Sequence, residues 1–335
     1  MKRSFLLVLL AAMMVFSACG KSEPASTEPD IYAVDPEEEF DPFYADMIEK
    51  ENVRPIAVMI DNDSDAARPQ IGLEDAYMVY EIVVEGRATR FMALFKNHEL
   101  EKVGPVRSSR HYFLDYALEH DAIYAHAGWS PKAANDISSL KINNINGLTA
   151  SSKTFWRDKT YDKTWHNLYT STKVLSDAAD DKKYERTTQN KIPDYNKMDE
   201  TPVGESITKL SIPYANFYKV SYTYDESTKR YIRYVNGKEH MSQTGKALTA
   251  KNIIVYQVKN TALNDGAGKD RQDLSNIGSG TGYFLSDGKR VNINWSKASR
   301  SAKTVYTLED GTPLMLNPGN TFVQIVPMYA TPTFE

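Results

Sequence analysis

The chain has 335 residues with 40 basic and 44 acidic side chains, and its net charge of −4 lacks the strongly basic balance of a nucleic-acid-binding protein. Its single cysteine is Cys19, so no later residue can form a disulfide, a zinc thiolate or a thiol nucleophile. We therefore predict no nucleic-acid partner, and thiol-dependent wall transpeptidases are excluded.

Residues 1–18 have the features of a secretory signal peptide. Two basic residues precede an apolar run from Phe5 to Phe16, which is too short to span a membrane as a mature helix. The four residues FSAC, which end at Cys19, are similar to a bacterial lipobox, in which the cysteine is lipidated and becomes the mature N-terminus. We expect Cys19 to anchor the protein by lipid to the outer face of the bacterial cytoplasmic membrane.

Residues 19–52 form a strongly acidic segment. Between Gly20 and Asn52, eleven acidic residues stand against two lysines, a net charge of −9 that leaves the chain from Val53 onward at +3. Like charges repel along such a segment and extend it. The pattern predicts a lipidated acidic tether that holds a folded body away from the membrane.

The sequence of residues 53–179 predicts an α/β or α+β domain. Apolar runs indicate strands at 54–61, 76–85, 89–95 and 122–127. A helix is expected over 131–140, with Ser130 as its N-cap and Pro131 at its first position. Alternation of strands and helices is typical of both fold classes.

The stretch from Gly104 to Gly128 places two arginines at a predicted helix start. Ser108 or Ser109 is a suitable N-cap, and apolar residues follow at the i, i+3, i+4, i+7 spacing of a buried stripe. Arg107 and Arg110 then fall at the first turn, where the helix dipole disfavours cations and favours bound anions. The two arginines could bind an external phosphate or carboxylate. Alternatively, they could form ion pairs with carboxylates of the protein itself, for which the upstream candidates are Asp61, Glu81 and Glu85.

The remaining chain predicts a linker and a second domain. Residues 180–205 are charged and interrupted by Pro193 and Pro202, as expected of a linker between domains. Residues 206–335 show period-two alternation with turns at Asn236-Gly237 and Asp287-Gly288. This pattern indicates a mainly β domain, a small sandwich or barrel.

The residues resemble the YerB-like bacterial lipoproteins, whose two paired domains have no known function. The matching segments include VRPIAVMIDN, TRFMALF, GPVRSSRHYFLDYALEHDAIYAHAG, HNLYTS, GSGTGYF and LNPGNTFVQIVP, and they extend over the chain from Val53. The resemblance implies a membrane-anchored lipoprotein of the cell envelope with a two-domain architecture. It implies no reaction.

Two kinds of function fit the candidate residues. A binding module would hold an anionic small molecule or an envelope polymer, and its ligand-binding candidates are Arg107, Arg110, Asn62, Arg90, His166 and Asn167. Alternatively, a hydrolase or transferase would act on envelope glycan or phosphodiester, with Asp61, Glu81, Glu85 and His126 as acid–base candidates. We favour binding.

No cofactor or metal is predicted. The run from Asp61 to Asp65 begins like an EF-hand, but Ala66 and Gly72 occupy the positions that require glycine and a bidentate glutamate. A looser calcium or magnesium site at the strand end stays open as an alternative.

Overall fold

The computed structural model describes residues 39–190, 192–264 and 269–335, and over these ranges the chain folds around two principal β-sheets. The predicted signal peptide, Cys19 and most of the tether lie outside the described residues. The α-helices in the described ranges are α1 (Pro42–Glu49), α2 (Phe113–Glu119), α3 (Pro131–Ser139) and α4 (Thr172–Asp181). None of them is long and apolar enough to cross a bilayer.

The described strands are numbered here in chain order. They are β1 (Ile56–Asn62), β2 (Met78–Val83), β3 (Thr89–Phe95), β4 (Ile123–His126), β5 (Asn144–Asn146), β6 (Trp156–Arg157), β7 (Leu168–Tyr169), β8 (Glu205–Ser206), β9 (Lys209–Ala215), β10 (Tyr218–Asp225), β11 (Arg230–Val235), β12 (Lys238–Glu239), β13 (Thr249–Ala250), β14 (Asn252–Val258), β15 (Asn260–Ala262), β16 (Gln272–Leu274), β17 (Gly278–Ser286), β18 (Lys289–Lys297), β19 (Val305–Leu308), β20 (Thr321–Pro327) and β21 (Thr333–Phe334).

The central sheet joins the N-terminal and C-terminal parts of the chain. Its path is β19-β18-β17-β14-β20-β2-β3-β1-β4-β5, with β8 beside β18. The junction is a parallel pair in which Met78 of β2 lies opposite Thr321 of β20. Every residue of β1, β2 and β3 is buried, as expected of apolar strands that are covered on both faces.

A second sheet has the order β12-β11-β10-β9-β21, with β13 beside β11. The C-terminal strands are thus divided between a sheet of their own and the shared central sheet, where we had expected a separate sandwich or barrel. The predicted fold class is confirmed: helices and strands mix in the N-terminal part, and the region from about residue 205 is almost all strand. Residues 39–335 form one compact unit, and the domain boundaries at 180 and 205 stay a prediction.

Two predicted local features, a helix cap and a pair of tight turns, are present in the structure. The helix α3 begins at Pro131, and the Ser130 side chain accepts a hydrogen bond from the Ala133 amide. Asn236-Gly237 and Asp287-Gly288 adopt the positive φ angles of tight hairpin turns.

The predicted start of the arginine-led helix is wrong. The helix α2 begins at Phe113, and neither Ser108 nor Ser109 caps it. The backbone before it pairs instead with neighbouring segments, because the Arg107 amide donates to Met59 and the Ser109 amide donates to Gly128. The dipole argument for an anion site at this helix therefore does not hold.

Candidate functional site

A group of ionisable side chains lies at the carboxyl end of β1. His166 Nδ1 is 2.8 Å from Oδ2 of the fully buried Asp61, and Arg107 Nε is 2.9 Å from the same oxygen. Asp63 meets both cations, since its Oδ2 accepts from Arg107 Nη2 at 3.1 Å and its Oδ1 lies 3.5 Å from His166 Nδ1. We call Asp61, Asp63, Arg107 and His166 the Asp61 cluster.

Interactions within the Asp61 cluster stabilise the charged forms of Asp61 and His166. Burial alone would raise the pKa of Asp61, but the His166 hydrogen bond, Arg107 and Arg90 together hold it below its usual range. The hydrogen bond to Asp61 in turn raises the pKa of His166 above its usual value, against the opposing effect of burial. An Asp61 anion beside a protonated His166 is therefore the expected state at mildly acidic pH.

A structured loop holds His166 in place. The His166 amide donates to Asp162 Oδ2 at 2.7 Å, and Asn167 Nδ2 donates to the Asp162 carbonyl at 3.0 Å. Arg157 Nη1 donates to Asn167 Oδ1 at 2.6 Å. Asn167 is fully buried by these contacts, so it orders the loop, and its predicted contact with a ligand stays a prediction.

Arg107 is the partly exposed cation of the cluster. Its guanidinium carbon lies 5.1 Å from the ring centroid of Trp165, whose side chain is 63% exposed. An indole face over a guanidinium is a favourable cation–π arrangement. Trp165 and Arg107 together therefore form the solvent-facing surface of the Asp61 cluster.

Arg110 pairs with an internal carboxylate. Its Nε and Nη2 donate to the two oxygens of Glu85 at 2.6 and 2.8 Å, which is the bidentate geometry that suits guanidinium and carboxylate. Arg271 Nε lies 3.5 Å from Glu85 Oε1. The sequence left open whether these arginines pair with carboxylates of the protein itself. The structure shows such pairs for Arg110 with Glu85 and for Arg107 with Asp61.

Arg90 is the arginine beside the Asp61 cluster that no carboxylate of the described residues pairs directly. It is only 6% exposed, and it lies opposite Asp61 in the β1–β3 register. Its Nη1 donates to the Ser108 carbonyl at 2.8 Å, while its buried Nε has no hydrogen-bond partner among the described residues. Burial lowers the pKa of Arg90 to about 10. No carboxylate of the described chain lies within 4.0 Å of its guanidinium nitrogens, as an ion pair would require.

Three members of the cluster also have the composition of a metal site. Ligand atoms of Asp61, Asp63 and His166 lie within 4.8 Å of one another. A divalent cation there would have to displace the Arg107 guanidinium and the shared proton on His166, because both occupy the same carboxylate oxygens. The two carboxylates and the imidazole are suitable ligands for a metal ion, but the positive charge of Arg107 and of protonated His166 would repel one.

Glu81 belongs to a buried network that joins the two sheets. Its Oε2 accepts from Arg233 Nη2 at 2.8 Å, and both side chains are 0% exposed. Its Oε1 accepts from the Tyr218 hydroxyl at 2.6 Å and from Thr89 Oγ1 at 2.8 Å. Asn62 Nδ2 joins this network by donating to Thr89 Oγ1 at 2.7 Å and to the Tyr218 hydroxyl at 2.5 Å. Glu81 and Asn62 thus connect β2 and β1 to the second sheet.

His126 is fully buried at the end of β4. Its Nδ1 lies 2.8 Å from the Gly128 carbonyl and its Nε2 lies 3.2 Å from Asn144 Oδ1. Burial lowers the pKa of His126 below its usual value. Of the four acid–base candidates, Asp61, Glu81 and Glu85 are each paired with an arginine, and His126 is enclosed.

The two histidines should titrate in opposite directions. In an NMR pH titration, we expect His166 to titrate above about 6.5, the usual value, and His126 below it. A raised histidine pKa stabilises the fold below the unfolded-state value, and this stabilisation is lost as pH rises through the folded-state pKa. The unfolding free energy lost in His166→Gln should therefore be largest near pH 6 and should shrink toward pH 9. A His166 that titrates below about 6.5 would contradict this geometry.

Comparisons with known proteins place the chain in a family. Models of an N-terminal and a C-terminal domain of unknown function, DUF3048, match residues 45–185 and 210–323. The chain therefore belongs to the YerB-like family of paired DUF3048 domains.

One relative is a Bacillus subtilis (strain 168) protein that carries the name lipoprotein YerB. It is 32% identical over 278 residues, which span 82% of this chain and 81% of the relative. A crystal structure of YerB from Bacillus subtilis matches with a TM-score of 0.75 at 30% identity, and it covers 85% of this chain and 95% of that one. The predicted family resemblance is confirmed.

Proposed function

We propose that this protein is a lipid-anchored, extracytoplasmic binding protein that holds an anionic group of an envelope polymer beside Arg90 and the Asp61 cluster. The observation that carries the proposal is Arg90, a buried cation that no carboxylate of the described chain pairs directly. A buried charge without a partner is costly, and a bound anion would remove that cost.

The charge balance around Arg90 supports an anion. Three carboxylates, Asp61, Asp63 and Glu85, lie among three guanidinium groups, those of Arg90, Arg107 and Arg110. A protonated His166 adds a further positive charge. With His166 protonated, these groups therefore carry a net positive charge, which attracts anions in a weakly screened environment.

The surface next to the cluster suits a polymer more than a free ion. Trp165 and Trp129 are exposed, and the exposed Leu148 lies against Gly128, the residue before Trp129. Exposed aromatic and apolar groups beside arginines are typical of binding surfaces. Sugar rings that carry phosphate or carboxylate groups present both an apolar face and an anion, and they would contact both features.

The proposed anchor rests on the N-terminal sequence and on the relative. The pattern of residues 1–19 predicts a signal peptide and a lipidated Cys19, and the Bacillus subtilis relative carries the name of a lipoprotein. Lipidation would place the folded body on the outer face of the cytoplasmic membrane, where envelope polymers are within reach. The acidic tether would extend it from the anionic membrane surface.

The test is a calorimetric titration of the full lipidated chain, in mild detergent, with a purified polyglycerol phosphate and with an uncharged glycan of similar length. We expect saturable binding of the charged polymer that weakens roughly tenfold or more in Arg107→Gln and in Trp165→Ala, because each removes a contact of about 1.4 kcal/mol or more. Phe217→Ala, which removes an exposed aromatic ring of the second sheet, should leave the affinity unchanged. Equal binding of both polymers, or none, would exclude the proposal.

A hydrolase or transferase is the less favoured alternative. Carboxylates that act as acid and base need one neutral and one charged partner in an open cleft, whereas the three candidates here are held by arginines. Absence of turnover of the same polymers by the wild-type protein is the expected result.

A further inference from the structure

A cavity of about 180 Å³ opens at the other end of β2 from the Asp61 cluster. Its inner wall includes Met78 and Tyr80 of β2, Ile254 of β14, and Leu316. Met78 lies four residues before Ile82, the residue that pairs with Arg90, which is about 13 Å along a strand. The cavity is therefore separate from the proposed anion site, and both parts of the chain supply its walls.

The polar side chains at the inner end of the cavity form hydrogen bonds and an ion pair with other groups of the protein. Glu119 accepts hydrogen bonds from the Tyr80 hydroxyl at 2.7 Å and from Thr304 Oγ1 at 2.7 Å, and Lys297 Nζ donates to it as well. These contacts fix the orientation of Glu119 and balance its charge. A charged group of a ligand would consequently find no unmatched counter-charge at this inner end, while Asp194 and Lys303 line other parts of the cavity.

His120 is neutral in this setting and is also held in place. Its Nε2 lies 2.9 Å from the Tyr80 hydroxyl and its Nδ1 lies 3.2 Å from the Tyr77 hydroxyl. Burial lowers the pKa of His120 to about 4. The inner end of the cavity is therefore rigid, uncharged overall, and shaped before any ligand binds.

The walls of the cavity suit an aromatic ring. Tyr80, Tyr306 and His120 present ring surfaces, and Met78 contributes a thioether, a group that packs well against aromatic rings. A dry cavity of about 150 Å³ is large enough to hold benzene. Small-molecule sites are commonly preformed apolar cavities, with few polar groups, at the junction of two parts of a chain.

From this geometry we infer a second ligand site, which takes a neutral aromatic group of one or two fused rings between Met78, Tyr80, Ile254 and Leu314. The ring lies against the β2 wall, and residues 303–306, 313 and 314 line the rest of the cavity. This site goes beyond the proposed polymer site and does not depend on it.

Indole is the probe for a direct test with the full wild-type chain in detergent. In a spectrum of protein labelled with ¹³C-methyl methionine, we expect saturable ring-current shifts of the Met78 methyl, while the exposed Met315 methyl, which does not line the cavity, stays unchanged. Cyclohexanol, which is of comparable size but lacks a π system, should bind at least tenfold more weakly. No saturable shift at Met78, or equal affinity for both probes, overturns the inference.

A matched pair of variants provides the second test. Leu314→Trp places an indole ring in the cavity itself and should weaken the binding of added indole at least tenfold, while Met315→Trp places the same ring on the outer side and should leave it within twofold. If Leu314→Trp binds indole like the wild-type chain, the site is wrong. If that variant fails to fold, the Met78 shifts in the wild-type chain still decide the question.

Discussion

Arg233→Met should lower the free energy of unfolding by about 3–5 kcal/mol, because it leaves Glu81 charged and buried without its partner. Both side chains are 0% exposed and 2.8 Å apart, and the guanidinium also lies 5.3 Å from the Phe91 ring centroid and 5.2 Å from that of Tyr222. Such a loss is a large fraction of the roughly 5–15 kcal/mol by which domains are stable.

Urea unfolding monitored by circular dichroism measures this effect. The double variant Glu81→Leu with Arg233→Met should recover much of the loss, since it removes both buried charges. Lys209→Met, which breaks the exposed pair with Glu335, serves as the matched control and should change stability by at most about 1 kcal/mol. A cost below about 1 kcal/mol for Arg233→Met alone would show that the buried pair does not hold the two sheets together.

Arg90→Met should have the opposite effect on the ligand-free protein. Arg90 is buried and lacks a direct carboxylate partner, so an apolar side chain of similar length removes the cost of burying its charge, although Asp61 and Glu85 lose a more distant positive charge. A buried charge that lacks a direct partner pays a desolvation cost, and an apolar side chain at the same place does not. We therefore expect Arg90→Met to be at least as stable as the wild-type chain in buffer without multivalent anions.

The control for Arg90→Met is Arg110→Met, which leaves Glu85 without its bidentate partner. That variant should be destabilised under the same conditions, because a paired charge is broken. If Arg90→Met is destabilised as much as Arg110→Met, then Arg90 has a structural role like its neighbour, and the argument for an external anion fails.

The sequence predicted the elements whose cause is local. The strand β3 spans Thr89–Phe95 as predicted, because burial on both faces requires an uninterrupted apolar run. The Ser130 cap of α3 and the Asn236-Gly237 turn involve partners only a few residues away. Patterns of this kind are visible in one sequence without any knowledge of tertiary contacts.

The failures have a common physical origin in contacts between distant segments. Ser108 and Ser109 looked like helix caps, but Ser108 Oγ donates to the Ala127 carbonyl and Ser109 Oγ accepts from Tyr124, so neither hydroxyl is free to cap. The partner of Glu81 is 152 residues away, and no spacing rule indicates it. The parallel β2–β20 pair joins the two parts of the chain into one sheet. It could not be predicted either, because its strands are also far apart in the sequence.

The candidate site was predicted in part. The sequence offered Asp61 and Glu85 as internal partners of the two arginines, and those ion pairs are present. It did not show that Arg90 would lack a direct carboxylate partner among the described residues, because this depends on which side chains the β1–β3 register brings together. The cavity beside Met78 was not foreseen, since its walls come from five separate segments.

The most direct test of the account is a calorimetric titration of inorganic phosphate into the full wild-type chain and into Arg90→Met, at constant ionic strength set with chloride. We predict saturable binding to the wild-type chain and an affinity reduced roughly tenfold or more in Arg90→Met. If the wild-type chain binds no phosphate, or if Arg90→Met binds it equally well, the claim that Arg90 binds an external anion is contradicted.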